Sequence, residues 1–524
     1  MPLIVFALWA GIPWAIAGAA AVICAALVCA WSAGRSSGRL RQVWFARLCA
    51  FGCAIPPMLN VGPGDSTWLM VAAWIFAIAA VAQGIASRLA PARQHAAAVP
   101  PPPTLRDARS IALHLGITVA VFAQSWLLIE VSPLRYSNLR LAIAADHAGI
   151  PLLTEGRYAS ELLRTVYWWR DHRPAPFVIF GDPAEVLAAA RAPQDKWSAI
   201  LTREVDARSR DNRAANYGLR LGRGQDDRLM VRDVIPNSPA ERDGARRGDR
   251  VVAMNGQPPT RGSIKTLTDA PPDTAIALDI DTVDGRRLRL FWKDGEEYPT
   301  PPVTDTRVLP EQEGRRVAYL QLRGFDQKSA EDFTQLVDEF RRQKINDLVI
   351  DLRNNPGGTE YSVNAIASRI AGAAVDGQVA YRKQYHRGLE EVEFDSQEFQ
   401  SLARHQRLGL ERVHFLIGSS TCSASEALIA MLQPHMRVAT FGDKTCGKTY
   451  MARTHTYRNH AYHVVTGAMM NEKWELMYPG GIVATCNVKD EFMHGYGDPR
   501  EPLLAAALDY MRSGQCPRIE AHLP

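Results

Sequence analysis

The chain carries almost no excess of either charge: 60 Lys and Arg against 55 Asp and Glu give a formal +5 over 524 residues. The basic residues are scattered, so a nucleic-acid partner is not suggested. Charged side chains are absent from residues 1–34, and Asp, Glu, Lys and Arg are missing from 48–64, 66–87 and 111–129. Each stretch approaches or exceeds the ~20 residues a helix needs to cross ~30 Å of hydrocarbon, which predicts four membrane spans. Three is the alternative, because the second span, taken over 43–61, holds Arg47, Pro56 and Pro57. The first span lacks the basic leading region of a secretory signal peptide. Loops after spans one and three hold Arg35, Arg39 and Arg41, then Arg88, Arg93, Arg106 and Arg109, whereas the loop between spans two and three has no Lys or Arg. The excess of basic residues in cytoplasmic loops then puts both chain ends outside the cytoplasm.

That placement governs the cysteines. Cys24, Cys29, Cys49 and Cys53 fall in the spans, where a thiol acts as a small hydrophobe. Cys422, Cys446, Cys486 and Cys516 fall where disulfides persist, and their three possible pairings stay open.

Residues 442–450, GDKTCGKTY, match G-x-x-x-x-G-K-[ST], the phosphate-cradling loop of nucleotide hydrolases. Such a loop opens a helix, whose N-terminal amides hold the anion. After Lys448 the chain reads TYMARTHTYRNHAYHVVTG, an alternating pattern that predicts strand. The apolar run DLVIDL lies on the wrong side of the loop for a magnesium-binding strand, and an extracytoplasmic domain has no ATP supply. His455, His460 and His463 do not share one strand face and lack a completing carboxylate, so no metal is expected. No cofactor is implied.

The chain divides into a transmembrane region at 1–131, a juxtamembrane subdomain at 132–204, a β domain at 205–296 and an α/β domain at 303–515. The run AVPPPPT at 98–104 reads as a stiff connector. In the β domain, YGLRLG and DRLMVRDVI predict strands, and NSPAERDGA predicts a helix capped by Ser238, with Pro239 first and Gly244 past the end. DRVVAMNGQP predicts a strand ending in an Asn-Gly turn, and AIALDIDTVDGRRLRLFW predicts a hairpin. Beyond 303, RVAYLQL, the amphipathic SAEDFTQLVDEFRRQK and the apolar NDLVIDL imply a parallel strand pair with a helical crossover. VHFLIG and RVATFG predict further strands around the helix ASEALIAMLQ.

GARRGDRVVAMNG resembles a PDZ-domain stretch, with YGLRLG as its carboxylate-binding loop and edge strand. CSASE with Lys448 following at 25 residues, DLRNNPGG at 351–358 and YPGGIVAT resemble the C-terminal-processing (tail-specific) serine proteases, over about 205–512. The resemblance implies a membrane-anchored protein with a PDZ-like domain and an α/β (crotonase-like) protease domain. It implies a Ser-Lys dyad of Ser423 and Lys448, and oxyanion donors at Ala424 and at Gly357 or Gly358. It also implies a peptide groove at Tyr217, Gly218, Leu219, Arg220 and Leu221 for substrates with apolar C-termini. Positions where many relatives carry Asp and Gln hold Pro434 and Ala452. The same fold without catalysis would make a membrane-bound peptide sensor or scaffold.

The chemistry is arguable from the residues alone. A serine hydroxyl is a weak nucleophile and needs a nearby base, and a lysine is a base only when neutral. Ser423 at a helix mouth points the next amide at a developing oxyanion. The blander reading of Ser423 and Glu426, as S-x-x-E, is a helix capping box. Cys422 and Cys446 flank both proposed catalytic residues; a disulfide or reversible oxidation there would gate the site, and two buried free thiols are the alternative.

Overall fold

The computed structural model describes residues 143–144, 153–169 and 182–517, except 225, 261, 269–272, 312 and 387–393. These residues fall into two compact units: one ends at Asp195 and includes Thr456–Arg458, and the other holds Lys196–His455 and the chain from Asn459 onward. In the first, α1 (Glu155–Val166) packs on α2 (Pro183–Ala190). Thr154 and Asp182 cap the two helices, each accepting a backbone N–H of the first turn, as residues with short oxygen-bearing side chains do. Tyr167, buried beyond α1, donates to Asp195 at 2.7 Å.

The second unit opens with β1 (Ala199–Thr202), α3 (Arg203–Arg210) and β2 (Arg213–Asn216). A five-stranded antiparallel sheet follows in sequential order: β3 (Leu219–Arg223), β4 (Leu229–Val234), β5 (Arg250–Met254), β6 (Ile276–Asp281) and β7 (Arg287–Trp292). Helix α4 (Pro239–Arg242) joins β4 to β5, with the Ser238 side chain accepting from the Glu241 N–H. Helix α5 (Ser263–Thr268) lies beside β3. Leu221, Val231, Val251, Leu278, Ile280 and Leu290 form the core, alternating with more exposed residues as a half-solvated sheet requires. Strand β8 (Glu296–Pro299) returns to pair with β2.

The larger sheet has the order β18-β15-β14-β11-β10-β9: β9 (Val303–Val308), β10 (Val317–Leu322), β11 (Asp347–Asp351), β14 (Arg412–Ile417), β15 (Arg437–Gly442) and β18 (Cys486–Asn487). All neighbours are parallel except β9 with β10. Parallel strands need crossovers, and α6 (Gln327–Arg342), α7 (Glu360–Ile370) and α8 (Ala424–Leu432) lie in the connecting segments. Every residue of β10 and β11 is buried, the mark of a sheet covered on both faces. Tyr319, Val349, Leu416 and Phe441 pack with Leu503, Leu504 and Ala507 of α9 (Pro502–Ser513). A further sheet joins β1, β17 (His460–Met470), β12 (Val379–Tyr385) and β13 (Phe394–Glu398), with β16 (Tyr450–Tyr457) on β17. The residues after Lys448 are thus strand, and the phosphate-loop reading has no helix to open.

The expected multi-pass helical anchor is corrected here. Among the described residues no helix is long and apolar enough to cross a membrane. The longest of them, α6, has 16 residues. At 1.5 Å per residue that is about 24 Å against ~30 Å of hydrocarbon, and its outer face is charged. The expected spans, their four cysteines and the 98–104 connector lie outside the described residues. The fold class is therefore a PDZ-like sheet with an α/β domain, and neither the anchor nor a multi-pass membrane localisation is retained.

One buried side chain makes stability depend on pH. Burial, with Arg412 nearby, pushes His414 on β14 down to about 4. A histidine whose folded pKa is depressed binds fewer protons folded than unfolded, so its contribution is complete above about 6.5 and is lost as pH falls toward 4. The expected loss is about 3 kcal/mol, read as falling melting temperature between those pH values. His414→Phe should flatten that fall. An equal fall in the variant would clear His414 of responsibility.

Candidate active site

Three loops leave the carboxyl ends of adjacent parallel strands β11, β14 and β15, where open α/β sheets place their sites. The first is the glycine turn at 352–358, the second carries Ser423, and the third carries Lys448. Thr421 Oγ1 donates to the Leu352 carbonyl at 2.8 Å, and the Cys422 amide donates to the Asn355 carbonyl at 3.0 Å. Ser425 Oγ donates to that same carbonyl, and Asn355 Nδ2 donates to the Leu322 carbonyl. Asn355 thus pins the glycine turn to both β10 and the serine turn.

Ser423 stands at φ 56° and ψ −116°, a conformation a non-glycine residue holds only when its surroundings over-determine it. Such strained turns at a helix mouth expose a nucleophile. A side chain on Gly357, itself at φ +102°, would sit 2.7 Å from Ser423 Cβ and 2.9 Å from the Ala424 nitrogen. Only glycine fits there.

Glu426 organises the site. Fully buried on α8, its carboxylate accepts from the amides of Ser423 (2.9 Å), Gly447 (2.8 Å) and Lys448 (2.9 Å), and from Thr445 Oγ1 (2.5 Å). Ser423 and Lys448 donate to the same oxygen, Oε2. Burial pushes the Glu426 carboxyl up, against the downward pull of those donors. The capping-box reading was half of its role; partners 19 to 22 residues onward gave no signal in the spacing. Cys422 and Cys446 form a disulfide across the same gap, with Cα atoms 5.3 Å apart, and Cys486 pairs with Cys516. Gly447 is at φ +80°, and a side chain there would meet Gly480 and Gly481 at 2.8 Å. YPGGIVAT therefore supplies a turn packed against Gly447.

Lys448 is half-buried, and its charge contributes to lowering the pKa of His463, after burial. Pro434 and Ala452 are exposed. The Gly357 amide donates to Asn355 Oδ1 at 2.8 Å. Those of Gly358 and Ala424 make no hydrogen bond among the described residues.

In the expected groove, Tyr217 and Leu221 belong to the core of the small sheet. Gly218 backs onto Ser238, and Leu219 packs against that core. β3 is an edge strand, and the side chain of Arg220 leaves it to donate to the Asn354 carbonyl at 3.0 Å. Arg232 on β4 bonds the Asn354 side chain. Beneath them, fully buried Arg353 bonds Asp351 (2.6 Å), Asp490 (2.7 Å) and Glu501 (2.7 Å), and Arg247 of the small sheet's β4–β5 connection shares Asp490. Burial works against the Arg353 charge, but the three carboxylates outweigh it and hold its pKa well above the usual value.

The profile of Peptidase family S41 matches residues 316–481, and that of the PDZ domain matches 230–280. Similar proteins include the carboxy-terminal processing protease CtpB of Bacillus subtilis (strain 168), 22% identical over 262 residues, which cover 48% of this chain and 51% of the relative. The carboxyl-terminal-processing protease of Picosynechococcus sp. (strain ATCC 27264 / PCC 7002 / PR-6) is 27% identical over 225 residues, 42% of this chain and 51% of the relative. The chain spans about half the length of these curated relatives. Among solved structures, an S41 protease from Bacteroides fragilis NCTC 9343 superposes with a TM-score of 0.57 at 23% identity, covering 68% of this chain and 97% of that one, which supports a shared fold. The serine turn, the lysine turn and the glycine turn all fall inside the segment that matches Peptidase family S41, and the segment that matches the PDZ domain lies ahead of it.

Proposed function

We propose that the chain is a serine endopeptidase acting on extracytoplasmic proteins through a Ser423–Lys448 dyad. Ser423 attacks the scissile carbonyl, Lys448 takes its proton and returns it to the leaving amine, and water then releases the acyl group from Ser423. Ala424 and Gly358 are the oxyanion donors; Gly357 is set aside because its amide is already engaged by Asn355. One observation carries this above the rest: Ser423 and Lys448, 25 residues apart, donate their amides to one oxygen of Glu426. The open edge of β3 suits an incoming C-terminus added as a further strand, which selects substrates or gates the site. Two disulfides fit an oxidising compartment.

The test incubates the purified chain with an unfolded protein bearing an apolar tail. Wild type should cleave it and Ser423→Ala should leave it intact. Equal survival with both proteins would sink the protease reading and favour a peptide-binding scaffold. Glu426→Gln should lower kcat about a hundredfold, since an amide nitrogen then faces donors that need an acceptor. An unchanged kcat would show that the two turns hold without the carboxylate.

A further inference from the structure

We propose that the Cys422–Cys446 disulfide is a positioning crosslink for the dyad, so that its redox state sets whether the site is assembled. This rests on the Ser423–Lys448 reading above and concerns the regulation of that same site. The bond joins the residue just before Ser423 to the residue just before Gly447 and Lys448. It runs beside the Glu426 carboxylate, with Cys446 Sγ 3.7 Å from Oε2, and the Cys446 amide donates to the Thr421 carbonyl at 3.1 Å. Among the described residues, most hydrogen bonds between the two turns go to one buried carboxylate whose ionisation burial disfavours. Ser423 holds a backbone conformation that survives only under constraint, and the covalent link is the constraint next to it. With the link cut, Ser423 is free to relax, and the Lys448 turn keeps its hydrogen bonds to Glu426 of α8 but loses its covalent hold on the serine turn.

Both half-cystines of the first bond are half-buried, while in the second Cys486 is enclosed and Cys516 is exposed, so both bonds are open to a reductant and trapping must tell them apart. A dithiol therefore has a path to the first pair. One of its thiolates attacks a cystine sulfur, breaking the S–S bond to give a mixed disulfide, and the second thiol closes on the first. The dithiol leaves oxidised, and two electrons and two protons remain on Cys422 and Cys446 as thiols.

The whole chain is compared oxidised and after dithiothreitol, with thiol trapping to report which bond is open. Reduction should speed amide hydrogen exchange about tenfold in the segments 421–426 and 445–450. It should lower kcat at least tenfold with KM within twofold, and reoxidation should restore both. A Cys486→Ser, Cys516→Ser variant should respond like wild type, and a Cys422→Ser, Cys446→Ser variant should start low and not respond. Unchanged exchange with the 422–446 bond open, or free thiols at both positions in fully active protein, would overturn the proposal. Faster exchange in a protein that cleaves nothing in either state would support the crosslink and sink the protease reading instead.

Discussion

Exchanging Lys448 for arginine is expected to abolish turnover as completely as exchanging it for alanine, with kcat down about 10⁴-fold in each case. Arginine keeps the charge, the reach and most of the packing, so a lysine that merely paired with a carboxylate or bound substrate would be largely rescued. A general base must shed its proton to accept one from Ser423, and a guanidinium does not do so in proteins. The backbone amide that Lys448 donates to Glu426 is unchanged by either substitution, so melting temperature should move little. Rates with a small activated ester would separate the base from substrate binding. Activity in the arginine variant within tenfold of wild type would remove Lys448 from the proton path.

Arg353→Met is expected to lose about 3–5 kcal/mol of stability, the usual cost of removing one partner from a buried ion pair, seen as a fall in both melting temperature and denaturant midpoint. The reason is what the arginine leaves behind. Asp351 and Glu501 have no exposed surface, and Asp490 would keep Arg247 but lose its second cation. Asp351 also accepts from Tyr319 at 2.8 Å, and Glu501 caps α9 through the Leu504 amide, so the loss spreads to β10 and the final helix. Arg353 lies in the glycine turn itself, two residues past the strand end at Asp351, so a folded variant should also lose activity. A change below about 1 kcal/mol would mean the carboxylates find other partners or protonate without strain.

Much of the scaffold was legible because its signals are local. Ser238, Pro239 and Gly244 mark both ends of one short helix, and the Asn255-Gly256 turn closes β5 with both residues at positive φ. The apolar runs of β10 and β11 separated by an amphipathic helix called for a parallel pair, which forms. The serine, lysine and glycine segments stood out by type and spacing, and the structure brings their turns to the ends of adjacent strands. What stayed hidden depends on contacts distant along the chain. Glu426 announces itself as a cap, yet its further partners come from the next loop. The inward turn of Tyr217 and Leu221 depends on which face of β3 is covered, and the engagement of the Gly357 amide depends on the Asn355 rotamer. The cysteine pairing needed three dimensions, since spacing alone left three choices. The uncharged stretches before residue 132 show how a compositional signal outruns what the described residues bear out.

Arg220 and Arg232 reach from the small sheet to one asparagine beside the glycine turn, and this bears on engineering. A PDZ domain grafted from another protein would bring its own peptide preference but neither arginine in register, so Asn354 would lose both guanidinium partners and keep only Tyr496 among the described residues. Chimeras built as interchangeable cassettes should therefore bind their new peptides and still cleave poorly, until those two guanidinium contacts are rebuilt.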